Sequence, residues 1–178
     1  MQIVEDIILN FTNNKSLYIG EKITMSEHMI QTAMLAENAK CNEDLICSCL
    51  LHDYGHFILE NPDELVKDNL DGKHEDIGYK YLKKVFKKEI VEPIRYHVIA
   101  KRYLAKDKKY FDLLSEASKI SLTLQGGVLN NKESSKFEKQ DYFKSYILLR
   151  KFDEAAKKTD LKMKSIQDFK KLLTSKLI

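Results

Sequence analysis

The chain has 178 residues, 43% hydrophobic and 32% charged, with a formal net charge of +3. That length suits one domain, and the apolar share is enough to build a core, which excludes a disordered or collagen-like chain. Six glycines and two prolines leave few of the turns that a β-sandwich requires, so an all-α chain is expected.

The basic residues lie among acidic ones except in short pairs such as Lys83-Lys84 and Lys87-Lys88, which read as solvated helix faces rather than a nucleic-acid groove. No apolar run approaches the roughly 20 residues of a membrane span. Cys41, Cys47 and Cys49 form an odd set without a CxxC pair, and Glu5 and Asp6 interrupt the only early apolar run. Reduced core thiols in a cytoplasmic protein without a leader are therefore expected.

In chain order, Ile3, Val4, Ile7, Ile8 and Phe11 recur at helical spacing up to Thr12-Asn13-Asn14. Thr24, three residues before Glu27, caps a second helix over about 25–40, with Gln31 one turn beyond His28 on the same face. A third, apolar on nearly all sides, runs from Leu45 to His52 with Glu43 or Asp44 as cap. The polar stretch 60–73, with Pro62 and Gly72, reads as a long loop with a helical turn near 63–67. Helices then start near His74, span about 89–104 around Pro93, and run from Leu113 to Leu124 before Gln125-Gly126-Gly127. After a polar connection, Tyr142 to Lys158 forms the last long helix and 165–175 a short one.

All five histidines, His28, His52, His56, His74 and His97, fall in or at the ends of these helices, with Asp53 and Asp153 available as carboxylates. Helical bundles build metal sites this way, from inward-facing residues on separate helices. Adjacent His52 and Asp53 at a helix end, with side chains roughly 100° apart, can address two ions, the carboxylate bridging them. Each unsatisfied buried polar group costs about 1–3 kcal/mol, and coordination removes that cost.

The pattern His28, His52-Asp53, Asp153 resembles the HD superfamily, and His74 and His97 extend it to a six-ligand, dinuclear set. Five runs narrow the resemblance: Tyr18-Ile19-Gly20-Glu21, Leu50-Leu51-His52-Asp53-Tyr54-Gly55-His56, Pro93 to Leu104, Leu122 to Gly127, and Arg150 to Lys157. Together they are similar to the phosphonate-degrading HD-domain oxygenases of the PhnZ type, relatives of myo-inositol oxygenase. Tyr54 departs from the family, which has an aliphatic residue there more often.

The resemblance implies one HD domain over 1–178, a helical bundle with a dinuclear site in its core. It implies two iron ions, Fe(II)/Fe(III), held by His28, His52, Asp53, His74, His97 and Asp153, with Asp53 bridging. With dioxygen as co-substrate they would cleave the C–P bond of a 1-hydroxyphosphonate, 2-amino-1-hydroxyethylphosphonate giving glycine and phosphate. Such a site carries about +2 overall, which a phosphonate dianion neutralises.

Lys101, a turn after His97, His56 and Tyr18 are the implied catalytic groups, with Tyr18 occupying a metal position until substrate arrives. Glu21 would pair with the substrate ammonium, while Lys101, Ser118, Ser121 and Arg150 would hold phosphonate oxygens. Gln125-Gly126-Gly127 either brings backbone to the pocket or ends a helix. A small-molecule phosphonate is the expected partner, without nucleic acid or membrane, and the expected state is a monomer. The competing enzyme is an HD phosphohydrolase whose metals activate water. Hydroxymethylphosphonate and a methylated ammonium analogue are the alternative oxygenase substrates.

Overall fold

The computed structural model describes residues 2–18, 21–58 and 73–178. Most of the expected 60–73 loop, its turn at 63–67 included, lies outside the described residues. Among those described there are eleven α-helices, one 3-10 turn and no sheet, only the isolated bridges Leu17–Thr24 and Phe86–Leu177. No described helix is long and apolar enough to cross a membrane.

Helix α1 (Gln2–Asn13) buries Val4, Ile7, Ile8 and Phe11, the stripe its periodicity defines. Helix α2 (Met25–Asn38) starts at a capping box in which Thr24 accepts from the Glu27 amide and the Glu27 carboxylate accepts from the Thr24 amide. Helix α3 (Glu43–Leu51) starts two residues earlier than expected, because Asn42 rather than Glu43 or Asp44 is the cap; its side chain accepts from the Leu45 amide. The two acidic residues lie instead in the first turn, where they complement the helix dipole. Short α4 (Gly55–Ile58) and α5 (His74–Leu82) pack together, and α5 in turn packs on α6 (Lys88–Leu104).

Three expectations change beyond α6. The helix expected over 113–124 starts three residues later as α8 (Glu116–Leu124), because the Ser115 hydroxyl accepts from the Ser118 amide and caps it, and a short helix α7 (Lys108–Leu113) precedes it. The polar connection that follows contains α9 (Asn131–Glu138), begun by a capping box of Asn130 and Glu133. Helix α10 (Phe143–Ala155) ends three residues short of Lys158. Beyond it, α2 holds the chain: the Gln31 side-chain amide donates to the Lys158 carbonyl at 2.7 Å while its oxygen accepts from the Lys158 amide at 3.0 Å, which takes both backbone groups out of the helical pattern. A 3-10 turn (Ile166–Phe169) and α11 (Lys170–Ser175) close over α1.

The main core gathers α1, α2, α3, α5 and α6, while Ala100, Leu129, Phe137 and Tyr146 form a second cluster between α6, α9 and α10. Cys47 and Cys49 are buried, Cys41 is half-buried, and all three are free thiols. Helices α2, α3, α6 and α10 pack on one another, and the polar residues of the next section lie between them.

Candidate metal centre

Four imidazoles and two carboxylates meet inside this bundle, all buried: His28 from α2, His52 and Asp53 from the end of α3, His74 from the start of α5, His97 from α6 and Asp153 from α10. They form two triads, His28 with His52 and Asp153, and Asp53 with His74 and His97, each with donor atoms within 4.8 Å of one another. Asp53 spans them. Its Oδ2 lies 3.4 Å from His52 Nε2 and 3.7 Å from His28 Nε2, and its Oδ1 lies 3.2 Å from His74 Nε2 and 3.4 Å from His97 Nε2.

The backbone sets the tautomers. His28 Nδ1 donates to the Ala156 carbonyl at 2.9 Å, His52 Nδ1 to that of Cys49 at 2.9 Å and His97 Nδ1 to that of Ile94 at 2.7 Å. With Nδ1 committed to a backbone carbonyl, each ring turns its Nε2 inward, the atom a cation would take in place of a proton. His28 Nε2 and His52 Nε2 then face each other at 3.2 Å, and Asp153 Oδ1 is a buried oxygen without a hydrogen-bond partner. His74 Nε2 lies 3.1 Å from that of His97. Converging ring nitrogens and an orphaned carboxylate oxygen are what a cation at each triad would satisfy, and imidazole–carboxylate donors suit first-row divalent and trivalent metals.

Local packing brings the two halves together. A Cβ on Gly55 would stand 1.9 Å from the His74 carbonyl oxygen, and one on Gly78 would stand 3.1 Å from the Gly55 amide nitrogen. Only glycine at 55 lets α4 lie close enough to α5 for His74 to reach Asp53. Behind them Tyr54, fully buried, receives a hydrogen bond from Asn10 at 2.6 Å and packs with Phe11, Phe57 and Tyr81. These contacts accommodate the Tyr54 ring and its hydroxyl in the core.

The electrostatics are those of a coupled cluster. Burial opposes charge on Asp53, but the neighbouring imidazoles outweigh it and hold the carboxyl well below the usual range. Burial likewise opposes charge on Asp153, which Arg150 holds low. Burial also opposes charge on His52, yet Asp53 and Asp153 push it up to about 9. His56 stacks on His74 with ring centroids 4.2 Å apart, and burial together with that neighbour pulls it down to about 3, so it stays neutral.

The remaining expected residues surround the triads. The Tyr18 ring stacks on His28 at 3.9 Å, and burial, aided by Asp153 and Asp53, raises its phenol well above the ordinary value. Lys101, 5% exposed, donates to Ser121 at 2.7 Å; burial and the Arg150 charge push it down to about 7. Arg150 gives its Nε to the Tyr110 hydroxyl at 2.9 Å, one terminal nitrogen to Asp153 and the other to Glu154. It therefore braces a ligand rather than pointing a free fork at substrate. Ser118 donates to Glu154 at 3.0 Å, and Glu21 lies 3.5 Å from Lys157. Gln125-Gly126-Gly127 ends α8 with both glycines at positive φ, and their carbonyls accept from Arg102 on α6, which settles that motif as a helix end.

Sequence reading assigned no role to Glu154, Lys157, Tyr110 or Ser115, although the first two stood in the quoted Arg150 to Lys157 run. The signal was there as Arg150 to Glu154 at i,i+4 and Glu154 to Lys157 at i,i+3, the spacings at which opposite charges meet on a helix.

Residues 25–124 match the HD domain family. The chain is 45% identical over 145 residues, 81% of its length and 74% of the relative's, to a 1-hydroxy-2-(trimethylamino)ethyl phosphonate dioxygenase (glycine-betaine-forming) of Leisingera caerulea. It is 38% identical to a hydroxymethylphosphonate dioxygenase of Gimesia maris, over 85% of the chain and 77% of the relative. An uncharacterized protein of Acanthamoeba polyphaga mimivirus is also 38% identical, over 88% of the chain and 73% of the relative.

Proposed function

The chain belongs to the HD-domain family, among the PhnZ-type phosphonate oxygenases, and from that premise we propose that it cleaves the C–P bond of a 1-hydroxyphosphonate with dioxygen at a pair of iron ions, Fe(II)/Fe(III). The observation that carries the reading is the sharing of Asp53 between two histidine-rich triads. His28, His52 and Asp153 would hold one ion, His74 and His97 the other, with Asp53 between them. Bound there, the iron pair would supply dioxygen activation and a strong positive field for the phosphonate dianion. One molecule of 2-amino-1-hydroxyethylphosphonate and one of dioxygen balance to glycine and phosphate. Hydroxymethylphosphonate and a methylated ammonium analogue are the other members of the substrate class.

The chain's own residues have definite tasks in this reading. The Tyr18 ring, stacked on His28, covers the first triad and must swing aside for substrate. Its phenol, kept protonated by burial and the neighbouring carboxylates, can hydrogen-bond an incoming oxygen. Lys101, poised near neutrality, holds a proton at Nζ that it can present to a phosphonate oxygen, with Ser121 as its resting acceptor. Ser118 and Ser121 offer hydroxyl donors once those resting bonds exchange. Neutral His56 fixes the His74 ring by stacking, and Arg150 fixes Asp153, so both act by positioning. Glu21 is the candidate partner for an ammonium-bearing substrate. The reading is of one HD domain over 1–178, a cytoplasmic monomer that acts on a small molecule without nucleic acid or membrane.

The test is phosphate release from hydroxyphosphonates by the iron-loaded protein in air and under argon, with isotopically labelled dioxygen. Dioxygen-dependent release with label in the products is expected. Equal release under argon, with oxygen taken from water, would point to hydrolysis and overturn the oxygenase reading; release only from phosphate esters or nucleotides, and not from the hydroxyphosphonate, would favour the HD phosphohydrolase.

A further inference from the structure

The two named relatives differ in what lies beyond the hydroxyl-bearing carbon: a trimethylamino-methyl group in one, hydrogen in the other. The wall next to Tyr18 bears on which kind of substrate this chain accepts. Lys157 Nζ stands over the Tyr18 ring, 5.9 Å from its centroid, and 3.5 Å from Glu21 Oε1. The same ammonium donates to Glu154 at 2.8 Å, to Ser115 at 3.0 Å and to Ser118 at 3.2 Å. Its side chain is only 12% exposed, so these contacts hold it in one place. Backbone reinforces that placement, because α10 is capped by Ala156, whose carbonyl accepts from His28, and the next residue but one, Lys158, is clamped by Gln31.

An aromatic face beside a carboxylate is an arrangement that recognises a substrate ammonium. Here the chain's own ammonium takes it. Lys157 pairs with both Glu21 and Glu154 in this wall, while Arg150 pairs with Glu154 and Asp153, so the carboxylate beside Tyr18 already has a cation of the chain's own. A cationic substrate tail brought to Tyr18 and Glu21 would meet Lys157 as a like charge in a largely desolvated place, where such a charge is poorly tolerated.

We propose that Lys157 is a specificity-determining residue: it fills the cation position at Tyr18 and Glu21 and selects 1-hydroxyphosphonates that carry no cationic tail, hydroxymethylphosphonate being the smallest. This rests on the oxygenase reading of the metal centre, and it places the aminated substrate, favoured by sequence through Glu21, behind the tail-free one.

The experiment compares hydroxymethylphosphonate with 1-hydroxy-2-(trimethylamino)ethyl phosphonate, by kcat/KM in air and by calorimetric affinity under argon, on iron-loaded wild type, Lys157→Met and Lys157→Arg. Wild type is expected to favour hydroxymethylphosphonate by about tenfold or more, and Lys157→Met to move the ratio about tenfold toward the tailed substrate, mainly through KM and affinity. Lys157→Arg, which keeps the cation, should keep the wild-type preference. A wild type that prefers the tailed substrate, or a Lys157→Met protein with an unmoved ratio, overturns the proposal. The wild-type preference decides the matter if the Met variant does not fold. Absence of turnover with either substrate would count against the oxygenase reading, while the affinities under argon would still decide tail selection.

Discussion

At the scale of single residues, Asp53 is the one candidate ligand whose two oxygens face different triads. Asp53→Ala is expected to lower iron content at both positions, whereas His97→Ala should affect mainly the triad it belongs to, and quantitation of iron per chain separates the two outcomes. Lys101 offers a pH test. Its ammonium is pushed down to about 7 in the folded protein by burial and Arg150, against roughly 10.4 in an unfolded chain. Between those values the unfolded chain binds the additional proton, so the stability cost of Lys101 is greatest below about pH 7 and fades as pH rises toward about 10. Lys101→Met should therefore raise the thermal midpoint most near pH 7 and least near pH 10; a gain independent of pH would contradict a buried, destabilised ammonium. The six candidate ligands could be picked out in sequence because they fall in or at the ends of expected helices and follow the pattern His28, His52-Asp53, Asp153 extended by His74 and His97. Lys157 was not, because a lysine near a helix end reads as solvated until the Gln31 clamp turns it inward.

At the scale of elements, the crossing of α4 and α5 delivers His74, and it depends on Gly55. Gly55→Ala puts a methyl 1.9 Å from a backbone oxygen, which cannot be relieved by a side-chain rotation. A loss of about 2 kcal/mol or more is expected, with iron content at the Asp53, His74, His97 triad falling in parallel. Gly127→Ala is the control. Its Cβ would meet nothing within 4 Å and only its φ of 68° is strained, so a loss of about 1 kcal/mol with full iron content is expected. Denaturant unfolding and metal analysis on both variants check this. The helices that carry ligands were legible because apolar periodicity and the Thr24–Glu27 cap agree. Helix α9 was not, because Phe137 is the only large residue it buries and the Asn130–Glu133 capping box was its single local sign. The start of α8 was read three residues early because Leu113 and Leu114 look like its first apolar residues, while the capping Ser115 acts through one hydrogen bond.

At the scale of the whole molecule, the site draws on helices α2, α3, α5, α6 and α10, with α2 and α10 joined across it by His28 and Gln31. Cation binding therefore ties together segments from Met25 to Lys158, and the folded state alone presents all six donors. Ligand binding of this kind stabilises by about 2.7 kcal/mol at a hundredfold excess over Kd. Iron loading should raise the thermal midpoint and a strong chelator should lower it again, a reversal that scanning calorimetry reads. An unchanged midpoint would mean that the donors do not act together. The most direct measurement is anomalous diffraction at the iron absorption edge from crystals of the loaded protein. We expect two peaks, one against His28, His52 and Asp153 and one against His74 and His97, with Asp53 between them; a single peak, or iron bound elsewhere on the chain, would contradict a shared dinuclear centre.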